Sequence, residues 1–220
     1  MKNKIENNRL TELVFILDRS GSMAGLVSDT IGGFNSLIEK QKKEEGEALV
    51  TTVLFDTRFE RLHDRVKLFD VPQMTERDYV PGGCTALLDA VGDTIRHIAR
   101  IHKYARPEDV PAKTVFVITT DGLENASCHY SREEIKKRIE HEQEKYGWEF
   151  LFLGANIDAI ETAGSIGIGA ARASNFHADE RGMGLNFRAV GKALSSVRCG
   201  APMSADWKEE VEADFEARKE

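Results

Sequence analysis

The chain has 220 residues, 41% hydrophobic and 30% charged, with a formal net charge of −7, the composition of a globular domain long enough to bury a sizeable core. That acidity excludes a general phosphate-backbone binder, which needs clustered Lys and Arg, although it leaves room for a local basic patch. Three widely spaced cysteines, Cys84, Cys128 and Cys199, with no CxxC among them, exclude a disulfide framework and a zinc ribbon. No apolar run approaches the ~20 residues that span a bilayer, and the polar segment 1–9 has no apolar signal core. The expectation is a cytoplasmic chain, of bacterial or phage-linked origin, with no nucleic-acid or membrane partner.

Apolar and helical patterns alternate along the chain. "LTELVFIL" (10–17) is a continuous apolar run suited to a strand buried on both faces. Residues 28–46 place Ile31, Phe34, Leu37 and Ile38 at helical spacing before Gly46. "ALVTTVLFD" (48–56) is strand-like, and 59–71 reads as an antiparallel edge strand whose charges guard against aggregation. A loop leads to a helix over 85–104, with Leu88, Val91, Ile95 and Ile98 on one face. "KTVFVITT" (113–120) is a second buried strand, and 131–147 an exposed helix opened by a Ser131/Glu134 capping box. A strand at 148–155, a short helix, a weak strand around 171–178 and a helix over 182–197 follow. An acidic helix closes the chain, with Trp207, Val211 and Phe215 as an apolar docking stripe. Strands alternating with helices imply a mostly parallel sheet covered on both faces. Ligands of such sheets bind at the carboxyl ends of the strands, at the topological switch point.

Three segments bring oxygen ligands to strand ends or helix starts. "DRSGS" after the first strand carries Asp18, Ser20 and Ser22 on alternate positions, which point the same way in an extended turn. "PGGCTAL" puts Thr85 at a helix start, and "TTDGLEN" puts Asp121 after the second buried strand. All are hard oxygens, suited to Mg²⁺, Mn²⁺ or Ca²⁺ rather than zinc. Two carboxylates and three hydroxyls would leave such an ion with affinity for one more anionic oxygen. Each residue also has a plainer use: Asp, Ser and Gly are turn formers, and Thr85 could simply cap its helix.

Taken together, DxSxS after a buried strand, "GGCTALLDA" and "VFVITTDGLEN" closely resemble the metal-ion-dependent adhesion site of von Willebrand factor type A domains, over residues 10 to 200. The resemblance implies a doubly wound α/β fold, a six-stranded mostly parallel sheet of order 3-2-1-4-5-6 with one antiparallel edge strand and helices on both faces. It implies three parts: a polar tail (1–9), the domain (10–200) and an acidic C-terminal helix (201–220). Ser20 and Ser22 would bind the metal through their hydroxyls, Thr85 directly or through water, and Asp18 and Asp121 mostly through water. The function implied is a non-enzymatic, divalent-metal-dependent protein-binding module with Mg²⁺ as the expected ion. A protein partner's Asp or Glu would complete the coordination, coupled to movement of the last core helix. Cys84 before Thr85 departs from the usual small or hydroxyl residue.

Two other readings remain. A metal-dependent hydrolase would use an aspartate at this position, but no DxDx pair or Walker loop accompanies it. An accessory subunit of an ATPase-containing or phage-related complex would treat the site as incidental. Glu124, Asn125 and Ser127 either shape the ligand surface or are exposed loop polarity. Asn156 and Asp158 read as a helix cap, and the six histidines as surface or packing residues.

Overall fold

A computed structural model describes residues 10–219; the polar tail at 1–9 lies outside the described residues. Its sheet has six strands: β1 (Thr11–Asp18), β2 (Ala48–Phe55), β3 (Phe59–Lys67), β4 (Lys113–Thr120), β5 (Glu149–Ala155) and β6 (Ala173–Phe176). Their order is β3-β2-β1-β4-β5-β6. All pairings are parallel except β2 with β3. Among the described residues four α-helices join the strands, α1 (Val27–Gln41), α2 (Leu87–Tyr104), α3 (Arg132–Tyr146) and α4 (Ala159–Ser165), and two follow β6, α5 (Glu180–Arg198) and α6 (Glu209–Ala217). No helix among the described residues is long and apolar enough to cross a membrane.

The continuous apolar runs of β1, β4 and β5 have their expected cause, because each feeds two cores. Leu13, Phe15 and Leu17 pack with Val115, Val117, Leu151 and Leu153 beneath α1 and α5. The intervening Val14, Ile16, Phe116, Ile118, Phe150 and Phe152 face α2, α3 and α4. With a side-chain period of two, a strand covered on both sides must be apolar at every position. The helical faces join the same cores: Phe34, Leu37 and Ile38 of α1 the first, and Leu88, Val91, Ile95 and Ile98 of α2 the second.

Local chemistry explains most boundaries. Ser131 and Glu134 form the reciprocal capping box of α3, and Gly147 ends that helix in the left-handed region at φ 65°. The helix expected over 28–46 stops at Gln41, and a turn leads to Gly46 at φ 90°. The edge strand expected to reach 71 ends at Lys67 in a short 3-10 turn. The C-terminal segment opens with a 3-10 turn at Ala205–Lys208 before α6. Its apolar stripe docks within the chain. Trp207 and Val211 are buried in the first core, and the Trp207 indole N–H donates to the Ala171 carbonyl at 3.1 Å. Phe215 lies 4.8 Å from the His177 ring.

Adjacent glycines on α1 generate opposite expectations. A Cβ on Gly33 would sit 2.1 Å from the Phe187 ring of α5, whereas one on Gly32 would meet nothing within 4 Å. Gly33→Ala should therefore cost about 1–3 kcal/mol by overpacking, and Gly32→Ala should stabilise by up to about 1 kcal/mol through helix propensity. Urea melts of the two variants read both signs. A second expectation concerns His63, buried on β3, with Nδ1 3.0 Å from the Thr52 hydroxyl. Burial holds its imidazole below the ordinary 6.5. The folded chain therefore takes up this proton later than the unfolded chain, and stability falls as pH drops below about 6.5. His63→Gln should flatten that part of the stability–pH curve.

Candidate metal centre

Strands β1 and β4 are neighbours from Thr11↔Lys113 to Leu17↔Thr119. From β1 the next strand on one side is β2 and on the other β4, so the chain reverses its direction of winding here and opens a crevice at the carboxyl ends. The parallel register delivers Asp18 and Asp121 to the same edge. The Thr120 hydroxyl donates to Asp18 Oδ2 at 2.6 Å. The Ser20 amide donates to Asp18 Oδ1 at 2.7 Å. With both oxygens held, Asp18 is fixed at the base of the cluster.

The two serines converge. Their Oγ atoms stand 3.1 Å apart, and Ser22 Oγ donates to Asp121 Oδ1 at 2.6 Å. A hydroxyl that has given its proton to a carboxylate has lone pairs left for another acceptor of electrons. Thr85 completes the ring: a Cβ on Gly122 would lie 3.5 Å from Thr85 Oγ1 and 3.8 Å from Ser22 Oγ. Asp18, Ser20, Thr85 and Asp121 are buried, while Ser22 is exposed. All five expected residues are thus brought to one edge of the sheet by three separate segments.

The plainer uses of these residues are mostly not realised. Ser20 opens a 3-10 turn (Gly21–Leu26), but its side chain makes no cap bond. Helix α2 begins after Ala86, again without a side-chain cap from its own segment. Its first-turn amides are served by the loop after β4 instead. Glu124 Oε2 accepts from the Leu88 amide at 2.9 Å, and Ser127 Oγ from the Asp89 amide at 3.1 Å. Asn125 Oδ1 accepts from the Thr85 amide at 2.9 Å, while the Thr85 carbonyl accepts from the Asn125 amide at 3.0 Å. Glu124, Asn125 and Ser127 therefore clamp one loop to the next. Their work leaves the Thr85 hydroxyl outside the capping of α2.

The loop of Gly82 and Gly83 is tied down in the same way. The Gly82 amide donates to the Arg19 carbonyl at 2.9 Å, and the Gly21 amide to the Gly83 carbonyl at 3.2 Å. Gly83 has φ +69°, and a Cβ there would lie 2.5 Å from Thr57 Oγ1, so only glycine fits. One support has no signal in the residue pattern, and another reads only as part of a helix cap. The buried Tyr79 hydroxyl donates to the Asp18 carbonyl, from a loop without periodicity. Asn156, at φ 56°, reaches the Asp121 carbonyl at 3.5 Å. Asp158 caps α4 as expected, accepting from the Glu161 amide at 2.9 Å.

The electrostatics are uncompensated. Burial raises the Asp18 carboxyl above the usual range, and the nearby Asp121 raises it further; burial likewise raises Asp121. Neither forms an ion pair among the described residues. The adjacent guanidinium of Arg19 is turned to Asp56 at 3.0 Å and Glu60 at 3.2 Å. Two buried like charges without a cation are costly. A divalent ion fits the donor set, because all donors are oxygens. The 3.1 Å between the serine hydroxyls also matches the edge of about 3.0 Å between adjacent ligands of an octahedron with ~2.1 Å bonds. A second cluster, Asp89 with Cys128 and His129, is of another kind. Its carboxylate accepts the backbone amides of Cys128, His129 and Tyr130 at 2.9–3.0 Å and so orders that turn.

No protein-family model matches the sequence, and neither does any curated protein. Solved structures share the fold. Proximal thread matrix protein 1 from the mussel byssus aligns with a TM-score of 0.60 and 16% identity, over 84% of this chain and 46% of that one. A structure of the same matrix protein with a zinc-occupied MIDAS motif aligns at 0.58 and 15%, over 84% and 46%. Manganese-loaded TRAP protein of Plasmodium vivax aligns at 0.54 and 16%, over 82% and 74%. The chain spans about half the length of the matrix protein. At these identities the likeness is one of fold, the von Willebrand factor type A fold with its Rossmann-like sheet.

The loop clamp carries its own expectation. Glu124→Ala removes acceptors for the Leu88, Ala126 and Ser127 amides and should cost about 2–3 kcal/mol. Amide exchange should show protection lost first at residues 85–89 and 122–128.

Proposed function

We propose that the chain is a divalent-metal-dependent protein-binding module in which Asp18, Ser20, Ser22, Thr85 and Asp121 hold the ion. One observation carries this reading: two buried carboxylates meet at the switch point with no cationic side chain paired to them among the described residues, beside hydroxyls that cap nothing. The metal-loaded neighbours of the same fold, one with manganese and one with zinc, support a divalent ion. Magnesium is the ion proposed for the cell, since every donor is a hard oxygen.

When bound, the ion supplies a Lewis-acid position that an outside carboxylate oxygen can complete. The chain's own groups do the rest. Asp121 accepts a hydrogen bond from the Ser22 hydroxyl and so leaves the Ser22 lone pairs available to the ion. Asp18, held by the Ser20 amide and the Thr120 hydroxyl, adds charge without needing direct contact. Ser22, exposed at the rim, marks the side from which a partner's Asp or Glu would approach. The cysteines Cys84, Cys128 and Cys199 are all free and exposed, which supports a reducing, cytoplasmic compartment.

Addition of Mn²⁺ or Mg²⁺ should raise the melting temperature. At a hundredfold excess over Kd the gain is about 2.7 kcal/mol, or roughly 5–10 °C for a chain of this size. Ser20→Ala and Asp121→Asn should each abolish that gain while leaving the metal-free melting temperature unchanged or higher. EDTA should then release a captured protein partner from the wild-type chain. A metal-independent melt of the wild-type chain would sink the proposal.

A further inference from the structure

Away from the five oxygen-bearing residues, one set of side chains gathers three different kinds of metal ligand. Asp89 stands in the first turn of α2, and Cys128 and His129 follow one another between β4 and α3. One ligand atom from each lies within 4.8 Å of the other two. The carboxylate belongs to a buried residue, 6% exposed, whereas Cys128 and His129 are exposed. Cys128 Sγ touches Asp89 Oδ2 at 3.7 Å, so an ion that reaches the exposed thiol is already beside the carboxylate.

That carboxylate is held in place from behind. Oδ1 accepts the His129 and Tyr130 amides at 2.9 and 3.0 Å, and Oδ2 accepts the Cys128 amide at 3.0 Å. Hydrogen bonds of this kind orient the ligands of metal sites. A second hydrogen bond to Oδ2 comes from the Cys128 S–H, a weak donor, at 3.7 Å. Loss of the thiol proton frees that lone pair of Oδ2 and creates a thiolate next to it. The two anionic atoms then repel unless a cation sits between them. The spacing suits that cation. Tetrahedral zinc, with bonds of ~2.0 Å to a carboxylate oxygen and ~2.3 Å to a thiolate, holds those two atoms about 3.5 Å apart. The observed 3.7 Å needs almost no movement, and the exposed imidazole can swing in by side-chain rotation.

We propose that Asp89 Oδ2, Cys128 Sγ and a ring nitrogen of His129 form a zinc site, with water in the fourth position on the solvent side. On binding, the Zn–S bond forms as the Cys128 thiol gives its proton to solvent, and the carboxylate and the neutral imidazole each donate a lone pair. Thiolate and imidazole select zinc, whereas the hard oxygens of the first centre select Mg²⁺. The two sites therefore divide the metals by donor softness, and neither reading rests on the other. The ion joins α2 to the loop after β4, reinforcing a link otherwise made through Glu124, Asn125 and Ser127.

The test is titration of the full chain with Co²⁺, a spectroscopic stand-in for zinc, under a phosphine reductant. Excess Mg²⁺ competes at the hard-oxygen centre throughout. A thiolate-to-cobalt charge-transfer band should appear in the near ultraviolet, saturate at one equivalent and bleach when Zn²⁺ is added. Cys128→Ser should abolish the band, and Cys84→Ser and Cys199→Ser should keep it. His129→Gln should weaken Co²⁺ binding by at least the roughly tenfold that loss of an outer-shell partner costs. Cys128→Ser and His129→Gln replace exposed side chains, so the metal-free variants should melt as the wild type does. No band, a band that survives Cys128→Ser, a band lost with Cys84→Ser or Cys199→Ser, or Co²⁺ binding unchanged by His129→Gln overturns the site.

Discussion

Strands β1 and β4 lie side by side at the centre of the sheet, and each is covered by helices on both faces. No polar side chain can be carried along their length without burying an unpaired group, so their polar residues are driven to the ends. At the carboxyl ends this concentrates Asp18, Thr120 and Asp121 within hydrogen-bonding reach of one another and of the serine turn. The parallel register is what sets two carboxylates side by side. Everything else at that edge follows from how the structure manages their charge.

Management is by loops rather than by basic residues. Arg19 would be the nearest counter-ion, yet Asp56 and Glu60 hold it away. The loop after β4 takes over the capping of α2 through Glu124 and Ser127. This arrangement frees hydroxyls that turn chemistry would otherwise consume. It leaves an oxygen-lined edge whose two carboxyls form no ion pair among the described residues.

The fold was legible because its signals are local and periodic. The run "LVFIL" can be apolar at every position only if both faces are buried, and "KTVFVITT" repeats the pattern. The capping box of Ser131 and Glu134 and the stop at Gly147 mark α3 without any tertiary context. Boundaries moved where tertiary contacts intervene. The helical pattern over 28–46 runs past the true end of α1 at Gln41, because its charged last turn still looks helical while the chain must leave it to begin β2. Of the candidate site, the five oxygen-bearing residues that gather at this edge could be named from three short segments. The supports were less legible: Tyr79 reaches Asp18 from a loop with no period, and Asn156, just past the carboxyl end of β5, reads in the sequence only as part of a helix cap.

The sequence by itself determined an alternating α/β chain, the two doubly buried strands and the hard-oxygen character of the residues at their ends, because these follow from side-chain period and donor chemistry alone. Only the tertiary structure decided which hydroxyls are committed to caps and which are spare. It alone decided that the two aspartates form no ion pair among the described residues. Those facts depend on which groups from distant segments arrive within about 3 Å of one another, and no local pattern encodes that distance.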